Sequence, residues 1–183
     1  NHRYAFSTEN WKRPKNEVDG LMNVFVEQCP KIKSGCMDRG VRVRVVASDF
    51  QRLEPRVQKM FRELEEATKD CTAFHLNLCV SYGGRGEITN AARRVCSDVA
   101  KGKIRSANEI LEADLDRYML THGFPDPDLV LRTSGEHRLS NFLLWQLAYS
   151  EMVFVQKHWP ELEECDFVNI LRTFSGRKRR FGK

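Results

Sequence analysis

The residues best suited to chemistry gather in two short segments. The first is Arg132-Thr133-Ser134-Gly135-Glu136-His137-Arg138-Leu139-Ser140-Asn141. It holds two arginines, three hydroxyls and a glycine within ten residues. Arginine presents a planar fork of donors that matches phosphate oxygens. Hydroxyls and the backbone N–H groups of a glycine turn would complete an anion cradle. The same composition also describes a polar loop whose arginines pair with surface carboxylates. The second segment is Phe6-Ser7-Thr8-Glu9-Asn10-Trp11-Lys12-Arg13-Pro14. It offers Ser7 and Asn10 as neutral donors and Arg13 as a cation, flanked by Phe6 and Trp11. That mixture suits a ligand with a charged head and an apolar body. It equally suits a helix N-cap whose neighbouring aromatics pack into the core.

Weaker signals lie elsewhere. Ser81-Tyr82-Gly83-Gly84-Arg85 has the flavour of a phosphate-binding turn but lacks the glycine spacing of the dinucleotide or P-loop fingerprints. Glu151 follows the apolar run Leu143-Leu144-Trp145-Gln146-Leu147-Ala148-Tyr149. A carboxylate there is either a paired core ion or an oxygen ligand for a hard cation such as Mg²⁺. The five histidines form no His-x-x-x-His pair; His137 lies inside the arginine cluster, while His75 and His158 read as structural.

The elements that must position these groups follow from apolar periodicity. Val18, Leu21, Met22 and Phe25 have helical spacing, with Pro14 suited to a first turn. Val41 to Val46 alternates and is rich in β-branched residues, so it predicts a strand. Leu53, Val57, Met60, Phe61 and Leu64 predict a second helix, Phe74 to Val80 a strand, and Ile88, Ala92, Val95 and Val99 a third helix. Ser106-Ala107-Asn108-Glu109 has the pattern of a capping box that opens another helix. Asp128 to Arg132 and Met152 to Val155 predict two more strands, and Phe167, Ile170, Leu171 and Phe174 a closing helix. Such alternation predicts a single α/β domain with a mostly parallel central sheet flanked by helices, in which ligands bind beyond the carboxyl ends of the strands.

Composition narrows the class. The chain has 183 residues, 41% hydrophobic and 30% charged, with a net charge of +5. These are values of an ordinary globular domain. No apolar run reaches the roughly 18–20 residues of a membrane span, and no leader is expected ahead of the first motif. The densest basic run, Arg177-Lys178-Arg179-Arg180, reads as a solvated helix end. A nucleic-acid module would need a basic face with interleaved aromatics, whereas these arginines cluster at strand ends, so no nucleic-acid partner is expected. Six cysteines without a Cys-x-x-Cys pair point to a reducing compartment and away from zinc; Cys79 and Cys96 read as small core residues.

Taken together the motifs resemble the cis-prenyltransferase family, which includes undecaprenyl diphosphate synthase and dehydrodolichyl diphosphate synthase. The resemblance rests on Phe6 to Pro14, on Tyr82-Gly83-Gly84-Arg85, on Asp128 through Gln146, and on the closing Arg179-Arg180-Phe181-Gly182. It implies an undecaprenyl diphosphate synthase-like fold with an apolar product tunnel. It also implies a homodimer, or a heterodimer with a related subunit, in the cytoplasm or peripheral at a membrane surface. The implied reaction joins isopentenyl diphosphate to an allylic diphosphate such as farnesyl diphosphate, with Mg²⁺ as cofactor. Residue by residue, Ser7, Asn10 and Arg13 match catalytic positions. Phe6, Trp11, Glu17, Arg132, Arg138 and Ser140 match substrate-binding positions, and Glu151 and His137 match metal-linked ones. Leu21, Val24, Phe25 and Phe74 are candidates for the tunnel wall or for ordinary core packing. A non-catalytic partner subunit is the competing reading, opposed by the intact Phe6–Pro14 and Arg132–Ser140 segments.

The chain departs from the family at one place. Members carry a Met-Asp-Gly-Asn-x-Arg-Trp/Tyr-Ala motif whose aspartate is the principal catalytic residue, and no such aspartate precedes Phe6 here. Asn1-His2-Arg3-Tyr4-Ala5 is too polar for a buried strand. It reads instead as the tail of that motif joined to Phe6 across a missing stretch, with Asn1 and Arg3 as phosphate-loop residues. The complete enzyme is expected to be active, whereas a chain that truly starts at Asn1 without the aspartate is expected to show little or no turnover; normal rates of radiolabelled isopentenyl diphosphate incorporation by that chain would contradict this.

Overall fold

The computed structural model describes residues 1–176, so the basic run Arg177–Arg180 and the closing Arg179-Arg180-Phe181-Gly182 lie outside the described residues. The chain divides into two compact units, Asn1–Phe124 and Pro125–Lys183. In the first, strands β1 (His2–Ser7), β2 (Val41–Val46) and β3 (Phe74–Tyr82) alternate with helices α1 (Lys15–Asp38), α2 (Pro55–Thr68) and α3 (Gly84–Ala100). The short α4 (Glu112–Asp116) follows. The sheet order is β1-β3-β2 and both pairings are parallel. In the second unit β4 (Leu129–Arg132) pairs in parallel with β5 (Glu151–Phe154), and α5 (Glu164–Ser175) follows. The expected α/β class is observed, with every strand pairing parallel among the described residues and the strands divided between two sheets.

The helices form where the apolar stripes are continuous. α2 buries Val57, Phe61, Leu64 and Thr68, at i, i+4, i+7 and i+11. α1 buries Val18, Met22, Cys29 and Cys36, and this stripe carries the helix through Pro30, which removes one interior N–H donor at a cost of about 3 kcal/mol. The two helices and the sheet enclose one core with Phe6, Val43, Leu53 and Val80. Leu21 and Phe25 pack against it, whereas Val24 and Phe74 are exposed. Cys79 is fully buried as expected, and burial, with the Glu87 charge, pushes its thiol pKa up to about 12. Cys96 is exposed on α3, a correction to its reading as a core residue. The Ser106–Glu109 capping box is not formed either: Ala107–Glu109 is a single 3-10 turn, and the Asp114 carboxylate instead accepts the Leu111 N–H at 2.9 Å to open α4.

Residues 1–5 also differ from expectation. β1 spans His2–Ser7, with its register against β3 shifting between Tyr4 and Phe6, and its polar residues are tolerated because it lies at an edge of the three-stranded sheet and is at most half-buried before Phe6. Burial of His2, and then the neighbouring amino terminus, lower its imidazole pKa to about 4, so the ring is neutral where it contacts the Asn77 amide.

The opposite edge is closed by side chains. The Val43 N–H donates to Thr68 Oγ1 at 3.0 Å and the Val45 N–H to Glu65 Oε1 at 2.7 Å. Both acceptors stand on α2, so the helix that covers the core also satisfies the strand edge. Thr68→Val keeps the shape but leaves the buried Val43 N–H without its acceptor. It should cost about 1–3 kcal/mol in urea unfolding; an unchanged midpoint would contradict this pairing.

Candidate functional site

The carboxyl ends of β1 and β3 carry the first cluster. Ser7 ends β1 and caps a 3-10 helix, Thr8–Lys12. Its hydroxyl accepts the Asn10 N–H at 3.2 Å, and the Asn10 side-chain oxygen accepts the Ser7 N–H at 2.8 Å. The reciprocal cap is the structural half of the two readings offered by the sequence. It uses acceptor capacity on both residues and leaves the Ser7 hydroxyl proton and the Asn10 amide protons for other partners. Phe6 is buried and meets Trp11 edge-on, with ring centroids 4.9 Å apart. Arg13 closes the turn and sits 4.0 Å from Glu17 on the first turn of α1. Both side chains are half exposed, so this pair contributes little and Arg13 is available to an anion.

Several residues the motifs did not single out hold this cluster. Trp11 Nε1–H donates to Ser81 Oγ at 2.9 Å, and the Arg52 guanidinium lies 5.0 Å from the Trp11 ring centroid. Ser81 is fully buried with φ +47°, a conformation that costs about 1–2 kcal/mol for a non-glycine residue. Next to it the Tyr82 hydroxyl donates to the buried Glu87 carboxylate, which also accepts the Leu120 N–H at 2.7 Å. Burial, then the Glu87 charge, raise the Tyr82 pKa, which keeps the phenol a donor. The Gly83 N–H is taken by Ser48 Oγ at 2.9 Å. The Gly83-Gly84 turn is therefore a packed junction, with this N–H unavailable to phosphate. Only the Ser81–Arg85 turn carried a sequence signal; Ser48, Arg52 and Glu87 sit in ordinary helix and loop patterns.

Asn1 and Arg3 do not join this cluster. They stand beside Asn77 and Leu78 in the amino half of the sheet. At about 3.3 Å per residue, Asn1 is roughly 20 Å along the strand from Ser7. Their expected place in a phosphate loop is corrected: Arg3 lies within β1, and burial lowers its guanidinium pKa.

In the second unit Arg132 ends β4 half-buried and has no ion pair among the described residues. The loop beyond it is anchored to the chain after β5. The Ser134 N–H donates to Lys157 O and the Gly135 N–H to Val155 O, both at 2.9 Å, and Ser134 Oγ contacts His158 Nδ1 at 2.9 Å. The expectation that Gly135 backbone N–H groups serve an anion is thus corrected, because the parallel strand exit consumes them. Gly135 has φ +65°, and a Cβ there would meet Gln156 Oε1 at 2.5 Å, so both backbone and space demand glycine. Arg138 is exposed and paired with Glu136, which a ligand phosphate must displace. Ser140 is exposed at φ +52°.

His137 packs its ring against Phe154 at 4.5 Å, at the carboxyl end of β5. Glu151 opens the same strand three residues earlier, so its backbone is about 10 Å from that of Phe154. Among the described residues no three His, Cys, Asp or Glu side chains are grouped to hold a metal ion. The donor set fits Mg²⁺ only in the manner of an ion that takes one carboxylate and completes its shell with phosphate oxygens and water.

Comparison with known proteins decides the family. The family described as "Putative undecaprenyl diphosphate synthase" matches residues 2–182. The chain belongs to this prenyltransferase family. It is 45% identical over 185 residues to a tritrans,polycis-undecaprenyl-diphosphate synthase (geranylgeranyl-diphosphate specific) of Thermococcus kodakarensis, covering 98% of this chain and 68% of that protein. It is 44% identical over 179 residues to an isoprenyl transferase of Thermotoga maritima, covering 98% and 75%. Among solved structures, lavandulyl diphosphate synthase from Lavandula x intermedia, in complex with dimethylallyl diphosphate, superposes with a TM-score of 0.93. That match is 33% identical and covers 100% of this chain and 78% of that one. The protein is a prenyltransferase and its substrates are isoprenoid diphosphates, the class of ligand for which a charged head and an apolar body were expected.

The cap on the Ser7–Arg13 segment is directly measurable. Ser7→Ala should speed hydrogen exchange of the Asn10 amide by about two- to thirtyfold, the equivalent of losing a cap worth ~0.5–2 kcal/mol. Unchanged exchange would show that the turn does not depend on that hydroxyl.

Proposed function

We propose that the protein elongates a prenyl chain in the cis configuration, condensing isopentenyl diphosphate with an allylic diphosphate such as farnesyl diphosphate. The allylic C–O bond breaks and diphosphate leaves with the electron pair. The double bond of isopentenyl diphosphate attacks the allylic carbon to form the new C–C bond, and a proton is lost from the adjacent carbon. The product is a Z-polyprenyl diphosphate, one isoprene unit longer.

The observation that carries this reading is Arg132. It is a half-buried guanidinium at the carboxyl end of a parallel strand, without an ion pair among the described residues, in a loop rigidly tied to the next strand. Such a fork is suited to diphosphate oxygens. Arg138 and Ser140 would add donors once a ligand displaces Glu136. On the other unit, Ser7, Asn10 and Arg13 would present neutral and cationic donors to diphosphate, with Phe6 and Trp11 offering apolar surface. Glu17 would tune Arg13. Donors aimed at the oxygens that gather charge as the bond breaks lower the barrier electrostatically. Mg²⁺, when bound, would neutralise that charge; Glu151 is the carboxylate of this chain suited to it, with His137 packed on Phe154 of the same strand. The hydrocarbon would occupy an apolar tunnel, with Leu21 and Phe25 as candidate walls, since Val24 and Phe74 are exposed. Dimerisation with itself or a related subunit, and association with a membrane surface, complete the proposal; no described helix is long and apolar enough to cross a membrane.

Arg132→Ala should raise the KM for isopentenyl diphosphate by about 10- to 100-fold, the worth of charge-assisted hydrogen bonds at ~1.5–3 kcal/mol. Arg138→Ala should do less, because its gain is offset by the broken Glu136 pair. Steady-state incorporation of labelled isopentenyl diphosphate reads both; an Arg132→Ala enzyme with unaltered KM would refute the assignment.

A further inference from the structure

Ser81 combines three properties that seldom meet in one residue. It is fully buried, it holds a left-handed backbone with φ +47°, and its side chain joins separate elements. The strain has a structural source. Phe6 pairs with Val80 and Ser7 with Tyr82, so Ser81 is the residue that β3 carries without a partner on β1. A bulge of this kind re-aims a side chain.

The hydrogen-bond roles follow from chemistry alone. The Trp11 indole N–H can only donate, and the Asp49 carbonyl can only accept. Ser81 Oγ therefore accepts from Trp11 Nε1 at 2.9 Å and donates its single proton to Asp49 O at 2.8 Å. The Ser81 carbonyl is fixed as well, accepting the Asp49 N–H at 3.1 Å and the Ser48 hydroxyl at 3.3 Å. Nothing in this arrangement can rotate without losing a bond. The Arg52 guanidinium lies over the indole, 5.0 Å from the ring centroid, and Phe6 meets Trp11 in a T-shaped contact. Trp11 is thus held by its N–H and its ring, and each of these contacts comes from outside the Ser7–Arg13 segment.

We propose that Ser81 is a positioning residue: through the Trp11 indole it holds the Ser7–Arg13 segment over the end of the sheet, with Arg52 as the second support. The left-handed conformation is retained because it brings the hydroxyl to the indole. The inference rests on the elongation reading for its catalytic consequence, and on geometry alone for the docking of Trp11.

The test uses the full chain with Ser81→Ala, which removes the hydroxyl, and Ser81→Gly, which removes the hydroxyl and relieves the backbone. Acrylamide quenching assigned to Trp11, by difference from Trp11→Phe, should rise at least about twofold in both variants. In labelled isopentenyl diphosphate incorporation, kcat should fall about fivefold with KM nearly constant. That is one hydrogen bond of ~1 kcal/mol at ~1.4 kcal/mol per tenfold. Trp11→Phe keeps the ring contacts and loses the donor, so the Ser81→Ala, Trp11→Phe double variant should be no slower than the slower single variant. Unchanged quenching, a normal kcat, additive losses, or a Ser81→Gly protein with normal quenching would each overturn the proposal. If the unmutated complete enzyme incorporates nothing, the elongation reading falls, and the quenching comparison still decides whether Ser81 holds Trp11.

Discussion

The burial of the carboxyl half of β3 is the constraint from which the rest of the first unit follows. Cys79, Val80, Ser81 and Tyr82 have essentially no exposed surface, and the strand is paired on both edges. Every polar group there must find a partner inside the protein, since an unpaired buried donor or acceptor costs ~1–3 kcal/mol. The Tyr82 hydroxyl finds Glu87, the Ser81 hydroxyl finds Trp11 and Asp49, and the Tyr82 carbonyl accepts from the Tyr4 hydroxyl at 3.1 Å. The partners lie on α3, on the 3-10 turn, in the chain after β2 and on β1. The need to satisfy one buried strand end therefore fixes the segments that carry Ser7, Asn10 and Arg13.

The second unit solves a related problem differently. β4 and β5 are four residues each, too short to position a loop by strand length alone. The loop after Arg132 is instead stitched to the chain after Phe154 by two backbone hydrogen bonds and the Ser134–His158 contact. Left-handed backbone at Ser134, Gly135, Ser140 and Asn141 lets a ten-residue segment change direction repeatedly. Rigidity of this kind keeps an arginine where an anion needs it with little ordering cost on binding.

Much of this was legible in the sequence because it is written in periodicity. The stripes Val57-Phe61-Leu64 and Val18-Met22, and the alternating Val41–Val46 run, give helices and a strand with few alternatives. The segments around Ser7 and Arg132 were legible from residue type, and their family follows from the matching motifs. What was not legible depends on who takes each hydrogen bond. Residue type suggested the Gly135 N–H, and only weakly the Gly83-Gly84 turn, for a phosphate, yet Val155 O and Ser48 Oγ take the Gly135 and Gly83 N–H groups. A polar stretch at Asn1–Ala5 looked unfit for a strand because the reading assumed two buried faces, and an edge position removes that assumption. Arg52 gave no signal, since a cation at a helix entrance is ordinary until an indole lies beneath it.

The claim at the centre of this account is that arginines at strand ends bind isoprenoid diphosphates so that a new C–C bond forms with cis geometry. Incubating the complete enzyme with farnesyl diphosphate and isopentenyl diphosphate, then examining the dephosphorylated product by mass spectrometry and NMR, tests it most directly. The account predicts products heavier by whole isoprene units, with Z double bonds at every added unit. Recovery of unextended farnesol, or of added units with E double bonds, would contradict it.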